Sequence, residues 1–312
     1  MTFRTMTVIA VLMGIATTLT ACRQNQPARP GPAADAKLMP IEPEHVHTVA
    51  PGVISGGEPE GVAAFEWLHQ QGVRTIISVD GMKPDLVLAR QYGIRYVHLP
   101  IQYRGVPAER RLALAKAIRD LPGTVYVHCH HGLHRGPAAV AAAMVTLGRM
   151  TPEQGTAFLH EAGTSPNYPG LFGDVASAKT ATAAELDAFQ CEWPEQWQTG
   201  GVVAAMAEID RAFESLNIVR TAGWTTSAEH PDLVGANEAT LLMERFHELL
   251  REDEKKEWPA DYRDWLNAAE TAAEGIRSEL KGGHSTEALD RNWTALKQTC
   301  SDCHAKYRNL IW

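Results

Sequence analysis

The strongest constraint on the fold is a change of periodicity part-way along the chain. From Pro51 to about Gly173, short apolar runs at Val53–Ser55, Thr75–Val79, Arg95–Leu99 and Thr124–His128 alternate with amphipathic stretches at about Gly61–Gln71, Pro84–Tyr92 and Ala108–Asp120. The runs have the length and residue types of strands, and the stretches between them repeat at helical spacing. Further helices are predicted over Pro137–Gly148 and Pro152–Ala162. The second opens on Thr151-Pro152-Glu153-Gln154, with a capping hydroxyl, Pro at the first position and Gln returning to the cap. This alternation predicts an α/β domain over residues 46–175, a mostly parallel sheet with flanking helices. Beyond a turn-rich stretch at Thr164–Gly173 the strand signal vanishes. From about Ala183 every pattern is helical, with apolar stripes on Val202–Leu216, Asn237–Arg251, Pro259–Leu280 and Ser285–Asn309. Helices with short connections predict an all-α four-helix bundle over residues 185–312. A chain of 312 residues is long enough to give each half its own core. The net charge of −8 leaves no basic excess for a nucleic-acid partner.

Residues 1–22 read as an export signal: Arg4 is the only charge, Val8–Ile15 is apolar, and the segment closes on Leu19-Thr20-Ala21-Cys22. The apolar run is too short to span a bilayer as a mature helix. Leu-Thr-Ala-Cys resembles the lipobox of bacterial lipoproteins, which implies cleavage before Cys22, lipid on that cysteine and membrane association through the lipid. A plain secretory signal with an incidental cysteine, or a membrane anchor, are the other readings. Arg23 to Pro43 is rich in Pro and Ala, so residues 23–45 are expected to form a flexible tether. Arg23, rather than Asp, after the lipid site points to outer-membrane sorting on the periplasmic side of the envelope.

The five cysteines divide by role. Cys300-Ser301-Asp302-Cys303-His304 is the attachment signature for c-type haem. Two cysteines three apart on a helix share a face and can form thioethers to both vinyl groups, and His304 then reaches the iron as proximal ligand. A redox dithiol would sit more naturally in a thioredoxin-like setting, and a zinc site needs a second ligand pair. Leu289, Trp293, Leu296, Cys300, Cys303 and Tyr307 lie on one helical face. With Lys297 and Arg308, this pattern on the last of four helices resembles class II cytochromes c, the cytochrome c prime group. The resemblance covers residues from Glu185 to the end and implies one covalent haem, with a gas ligand or redox partner. In that family the sixth iron position is open or filled by a methionine of the first helix. Met206 is the candidate, in phase with Ile209, Phe213 and Leu216, although a methionine on such a stripe can equally be core; Met243 is a second candidate. Cys129 and Cys191 remain, and nothing suggests a disulfide-stapled scaffold.

The strand Thr124–His128 runs directly into Cys129-His130-His131-Gly132-Leu133-His134-Arg135 and then a helix. Between strand and helix, a Cys-x5-Arg loop with a central Gly presents backbone N–H groups and a helix N-terminus to a phosphate-sized anion. The same field favours the Cys129 thiolate as a nucleophile. Arg135 can grip two phosphate oxygens through its planar fork. The loop, with Val53-Ile54-Ser55-Gly56-Gly57 and Pro59 upstream and Tyr96-Val97-His98-Leu99-Pro100-Ile101, resembles cysteine-based phosphatases of the dual-specificity and tyrosine type over residues 46–175. The resemblance implies a phosphorylated substrate, a phosphocysteine at Cys129, phosphoryl binding by Arg135 and tuning of the thiolate by His128. Two departures stand out. The family places an Asp general acid in the loop after the His98 strand, but Ile101-Gln102-Tyr103-Arg104-Gly105-Val106-Pro107 has no carboxylate; Asp80, Asp85 and Glu109 are candidate substitutes. The usual Ser or Thr after the loop arginine is Gly136. Metal binding by His128, Cys129, His130, His131 and His134 is a rival reading, strained because adjacent residues on a tight loop diverge; His130, His131 and His134 can also be simply solvated positions of the loop. Two functions follow: phosphomonoester hydrolysis, or a redox or gas-sensing haem protein whose α/β domain only binds an oxyanion.

Overall fold

The computed structural model describes residues 39–198, 201–253, 258–283 and 285–308. The export signal, the Cys22 lipid site and the tether up to residue 38 lie outside them. Strands β2 (Val53–Gly56), β3 (Val73–Ser78), β4 (Arg95–His98) and β5 (Thr124–His128) pair in parallel, in the order β2-β5-β3-β4. An edge strand, β1 (His47–Ala50), adds to β2 in the antiparallel sense, so the sheet is mixed. Its partly buried, mixed-polarity residues carry no readable strand signal.

Side chains alternate across the sheet, as the pleat requires. Ile54, Ile76, Tyr96 and Tyr126 pack with Phe65 and Leu68 of α1 (Gly61–Gln70) and Ala89 of α2 (Leu86–Gln91). Val53, Ile77, Val97, Val125 and Val127 pack on the other face. There they meet α3 (Ala108–Asp120), α4 (Arg135–Thr146), α5 (Pro152–Glu161) and α6 (Pro169–Ala176). Helix α4 is buried from Gly136 to Thr146, and its alanines let it lie close to the strands. The Thr151 capping box at the start of α5 forms as expected. Helix α6 begins inside the stretch read as turns and runs past it: Pro169 starts it, and Leu171 and Val175, one turn apart, are buried in the α/β core.

A short helix, α7 (Ala183–Ala188), is capped by Thr182 and Glu185. Its Leu186, with Phe189, Cys191 and Trp193, packs into the α/β core. The helical half therefore begins at Gly201, not at Glu185, because the residues between serve the first core. Helices α8 (Gly201–Thr221), α9 (Gly235–Asp253), α10 (Ala260–Gly282) and α11 (Thr286–Tyr307) enclose one apolar core. It includes Ile209, Leu216, Leu242, Phe246, Leu266, Ile276, Leu289, Trp293, Leu296, Cys303 and Tyr307. Among the described residues no helix is long and apolar enough to cross a membrane.

Several contacts join the halves at the carboxyl edge of the sheet. Gly81 lies against Val203, where an added Cβ would come within 2.8 Å of the valine. Arg211 pairs with Glu58. Arg308 donates from Nη1 to the Tyr168 hydroxyl at 3.2 Å.

Candidate functional site

The Cys129–Arg135 loop leaves the end of the central strand β5. Gly56 of β2 and Ser78 of β3 stand in register with His128 on either side, so the loop emerges where parallel sheets place their ligands. Backbone bonds fix its course: Val79 N–H donates to the His128 carbonyl at 2.8 Å, and Glu58 N–H to the His130 carbonyl at 2.8 Å. Gly132 is required twice over. Its φ is +73°, and a Cβ there would fall 2.4 Å from the Gly56 carbonyl carbon. Gly136 packs behind Cys129, where a Cβ would lie 3.5 Å from Sγ. Cys129 itself is buried.

His128 is buried. Its Nδ1–H donates to the Cys129 carbonyl at 3.3 Å, which leaves Nε2 to accept from the Tyr96 hydroxyl at 2.7 Å. Burial lowers its pKa and keeps the ring neutral. His128 thus ties β5 to β4 behind the loop. Leu133 and His134 anchor the loop to the α5–α6 connection. The Leu133 carbonyl accepts from Thr164 Oγ1 at 2.7 Å, and His134 Nδ1 accepts from Ser165 N–H at 3.3 Å.

Arg135 Nη2 donates to Asp80 Oδ2 at 2.7 Å. The same oxygen accepts from the His130 N–H at 2.9 Å. Burial opposes ionisation of Asp80, but the Arg135 guanidinium and the Met82 N–H outweigh it and hold the carboxyl far below the usual carboxylate range. Asp80 is therefore an anchored anion and has no proton to give a leaving group. The other two candidate acids are also placed elsewhere: Asp85 caps α2 by accepting from Leu88 N–H, and Glu109 sits exposed in the first turn of α3. Arg135 Nε is buried without a partner, so this N–H, beside the Nη2 that Asp80 holds, remains for an oxyanion. Tyr103 stacks between two cations, 4.6 Å from the Arg135 guanidinium and 4.1 Å from that of Arg308.

His130 and His131 turn toward α8. Their Nε2 atoms lie 2.7 Å and 2.6 Å from the two carboxylate oxygens of Glu214. Burial acts to lower the His130 pKa, but Glu214 and Glu58 prevail and hold it at about 10.

A cavity of about 320 Å³ opens between the halves. The α/β side contributes Asp80, Gln102, Tyr103, His130 and Arg135, and the helical side contributes Met206, Asp210, Cys300, Cys303, His304 and Arg308. Cys300, Cys303 and His304 thus share one face, as their spacing on α11 predicts, and Met206 joins them; Met243 does not line the cavity. Phe213, Phe246, Trp265, Leu266 and Ala269 supply apolar walls. Burial pushes the Cys300 and Cys303 thiols up to about 11. A catalytic dithiol needs the opposite shift. Burial, then the Arg308 charge, drives His304 down to about 4, leaving a neutral imidazole able to ligate a metal.

Residues 56–149 match the family model described as "Tc-R-P: Polymorphic toxin system, DSP-PTPase phosphatase". This segment is a phosphatase-like domain of the dual-specificity type. Among solved structures, the chain resembles the TpbA protein of P. aeruginosa at 17% identity, with 48% of this chain and 92% of that chain covered and a TM-score of 0.38. It also resembles human DUSP28, at 20% identity, 43% and 94% coverage and a TM-score of 0.35. A third is the core catalytic domain of the PP-IP phosphatase SIW14 of S. cerevisiae, at 15% identity, 47% and 85% coverage and a TM-score of 0.36. No curated protein matches the chain.

The phosphatase-like domain uses groups that its motif does not reveal. Asp80 is legible only as a candidate acid and Arg308 only as part of the helical pattern, while Tyr103, Asp210 and Glu214 sit in unremarkable patterns. Only the packing of α8 and α11 over the sheet edge brings Asp210, Glu214 and Arg308 to the loop.

Proposed function

We propose that the chain is an exported, lipid-anchored protein in which a phosphatase-like oxyanion site and a covalent haem c share one cavity. The observation that carries this reading is that Arg135 and the Cys300, Cys303 and His304 set line the same space.

In the phosphatase half, the Arg135 Nε–H and the loop N–H groups would bind the phosphoryl oxygens. Cys129 Sγ would attack phosphorus, forming the S–P bond as the bond to the leaving oxygen breaks. Water then cleaves the phosphocysteine, releasing phosphate and restoring the thiolate. With Asp80 locked as an anion, the leaving oxygen must draw its proton from solvent, so aryl phosphates are the favoured substrates. In the helical half, two cysteines on one face, a neutral His304 and apolar walls fit haem c, held by thioethers at Cys300 and Cys303 with His304 on iron. Haem bound there would supply a one-electron redox centre, and Met206, which lines the same cavity, would be the candidate second protein ligand. Cys22 would carry the lipid and hold the protein at the periplasmic face of an outer membrane.

Coexpression of the full chain with haem-attachment machinery tests the reading. It expects colour that survives acid-acetone extraction, acylation that vanishes in Cys22→Ser, and slow phosphate release from an aryl phosphate that vanishes in Cys129→Ser. A second reading, redox or gas sensing with oxyanion binding and no turnover, is favoured by the absence of a carboxylate from the 101–107 loop. Tight vanadate binding without phosphate release would select it.

A further inference from the structure

We propose that His130, His131, Asp210 and Glu214 form a divalent-cation site that clamps the phosphate loop to helix α8. The donor atoms of these four side chains all lie within 4.8 Å of one another. The set is of mixed chemistry, two imidazoles and two carboxylates. Asp210 and Glu214 are one turn apart on α8, so both reach the same side of the helix. The adjacent histidines, expected from their sequence spacing to diverge, lie with ring centroids 4.4 Å apart. Their Nε2 atoms converge on one carboxylate brought by the other half of the molecule.

The geometry is close to what a tetrahedral ion requires. Ligand bonds of about 2.0–2.2 Å place neighbouring donors about 3.3 Å apart, so movements of roughly an ångström complete the shell. Imidazole nitrogen with carboxylate oxygen suits zinc among the available divalent ions. The surroundings supply a second, independent sign. A histidine that ligates through one nitrogen is usually oriented by a carboxylate on the other. His130 Nδ1 faces Glu58 Oε2 at 3.5 Å, and Glu58 is itself held by Arg211. Asp210 is exposed and, with His130, lines the cavity that contains Arg135, which gives the ion a path in. Binding replaces protons on the two imidazoles, so metal uptake releases them.

The test is a zinc titration by calorimetry of the full chain after removal of metals with a chelator, compared with His131→Gln and Glu214→Gln. Neither variant touches a cysteine, so any zinc held by thiols is common to all three proteins. The wild type should bind one equivalent more than either variant, or bind it at least about tenfold more tightly. Equal binding by all three proteins overturns the site. If a variant fails to fold, crystals of the wild type soaked in zinc decide. An anomalous peak at the zinc edge among the four side chains supports the proposal, and no peak there overturns it.

Discussion

Asp80 Oδ2 accepts from both Arg135 Nη2, at 2.7 Å, and the His130 N–H, at 2.9 Å, so one buried carboxylate holds an amide near the start of the Cys129–Arg135 loop and the side chain that ends it. Removing either member of this pair leaves a buried charge uncompensated. Asp80→Ala and Arg135→Ala should each cost about 3–5 kcal/mol. The double variant should cost well under the sum, because neither charge is then stranded. Chemical denaturation of the four proteins measures the coupling, and additive losses would show that the pair does not anchor the loop.

Gly132 is held at a φ that other residues rarely adopt, against backbone that leaves no room for a methyl group. Gly132→Ala should add strain of about 1–3 kcal/mol and displace the loop from Gly56. Tungstate binding should be lost while far-UV circular dichroism is retained. Unchanged tungstate affinity would contradict the assigned loop geometry.

The missing acid can be put back where the cavity wall allows it. Gln102 lines the cavity and its Oε1 is buried without a partner, whereas Arg104 is exposed. A general acid contributes about 10²–10⁴-fold. Gln102→Asp should therefore raise turnover of alkyl phosphates more than that of aryl phosphates, and Arg104→Asp should raise neither. Initial rates on the two substrate classes check this.

Acid should loosen the site before it unfolds the sheet. His98 Nε2–H donates to the Asp80 carbonyl at 2.8 Å, so its Nδ1 accepts from Trp197 N–H at 3.0 Å. Burial lowers the His98 pKa. A base with a depressed folded pKa contributes its full stability above the unfolded value, about 6.5, and loses it as pH falls through the folded value. Thermal stability should drop below about pH 6.5, and less steeply in His98→Gln, which cannot titrate. Identical pH profiles would remove His98 from the account.

What the sequence reveals, and what it conceals, follows from the range of each interaction. The Cys129 loop, the strands β2 to β5 and the Thr151 capping box are local patterns, and all of them are legible. Strand β1 is too short and too mixed in polarity to announce itself, and α6 hides behind Pro169 and two glycines. The helical pattern from Ala183 is read correctly as helix but assigned to the wrong core, because periodicity does not say which surface Leu186 meets. The site depends most on contacts invisible to any pattern. Glu214 lies 84 residues from His130, and Arg308 lies 140 residues from Tyr168. Nothing short of the folded chain joins them.

Titrating the haem-loaded full chain with tungstate while recording the Soret band tests whether an oxyanion site and a haem share one cavity. The account predicts a saturable spectral change that is absent in Arg135→Ala, because the anion bound at Arg135 enters the space lined by His304 and Met206. Tungstate that protects Cys129 from alkylation yet leaves the Soret band unmoved would contradict it.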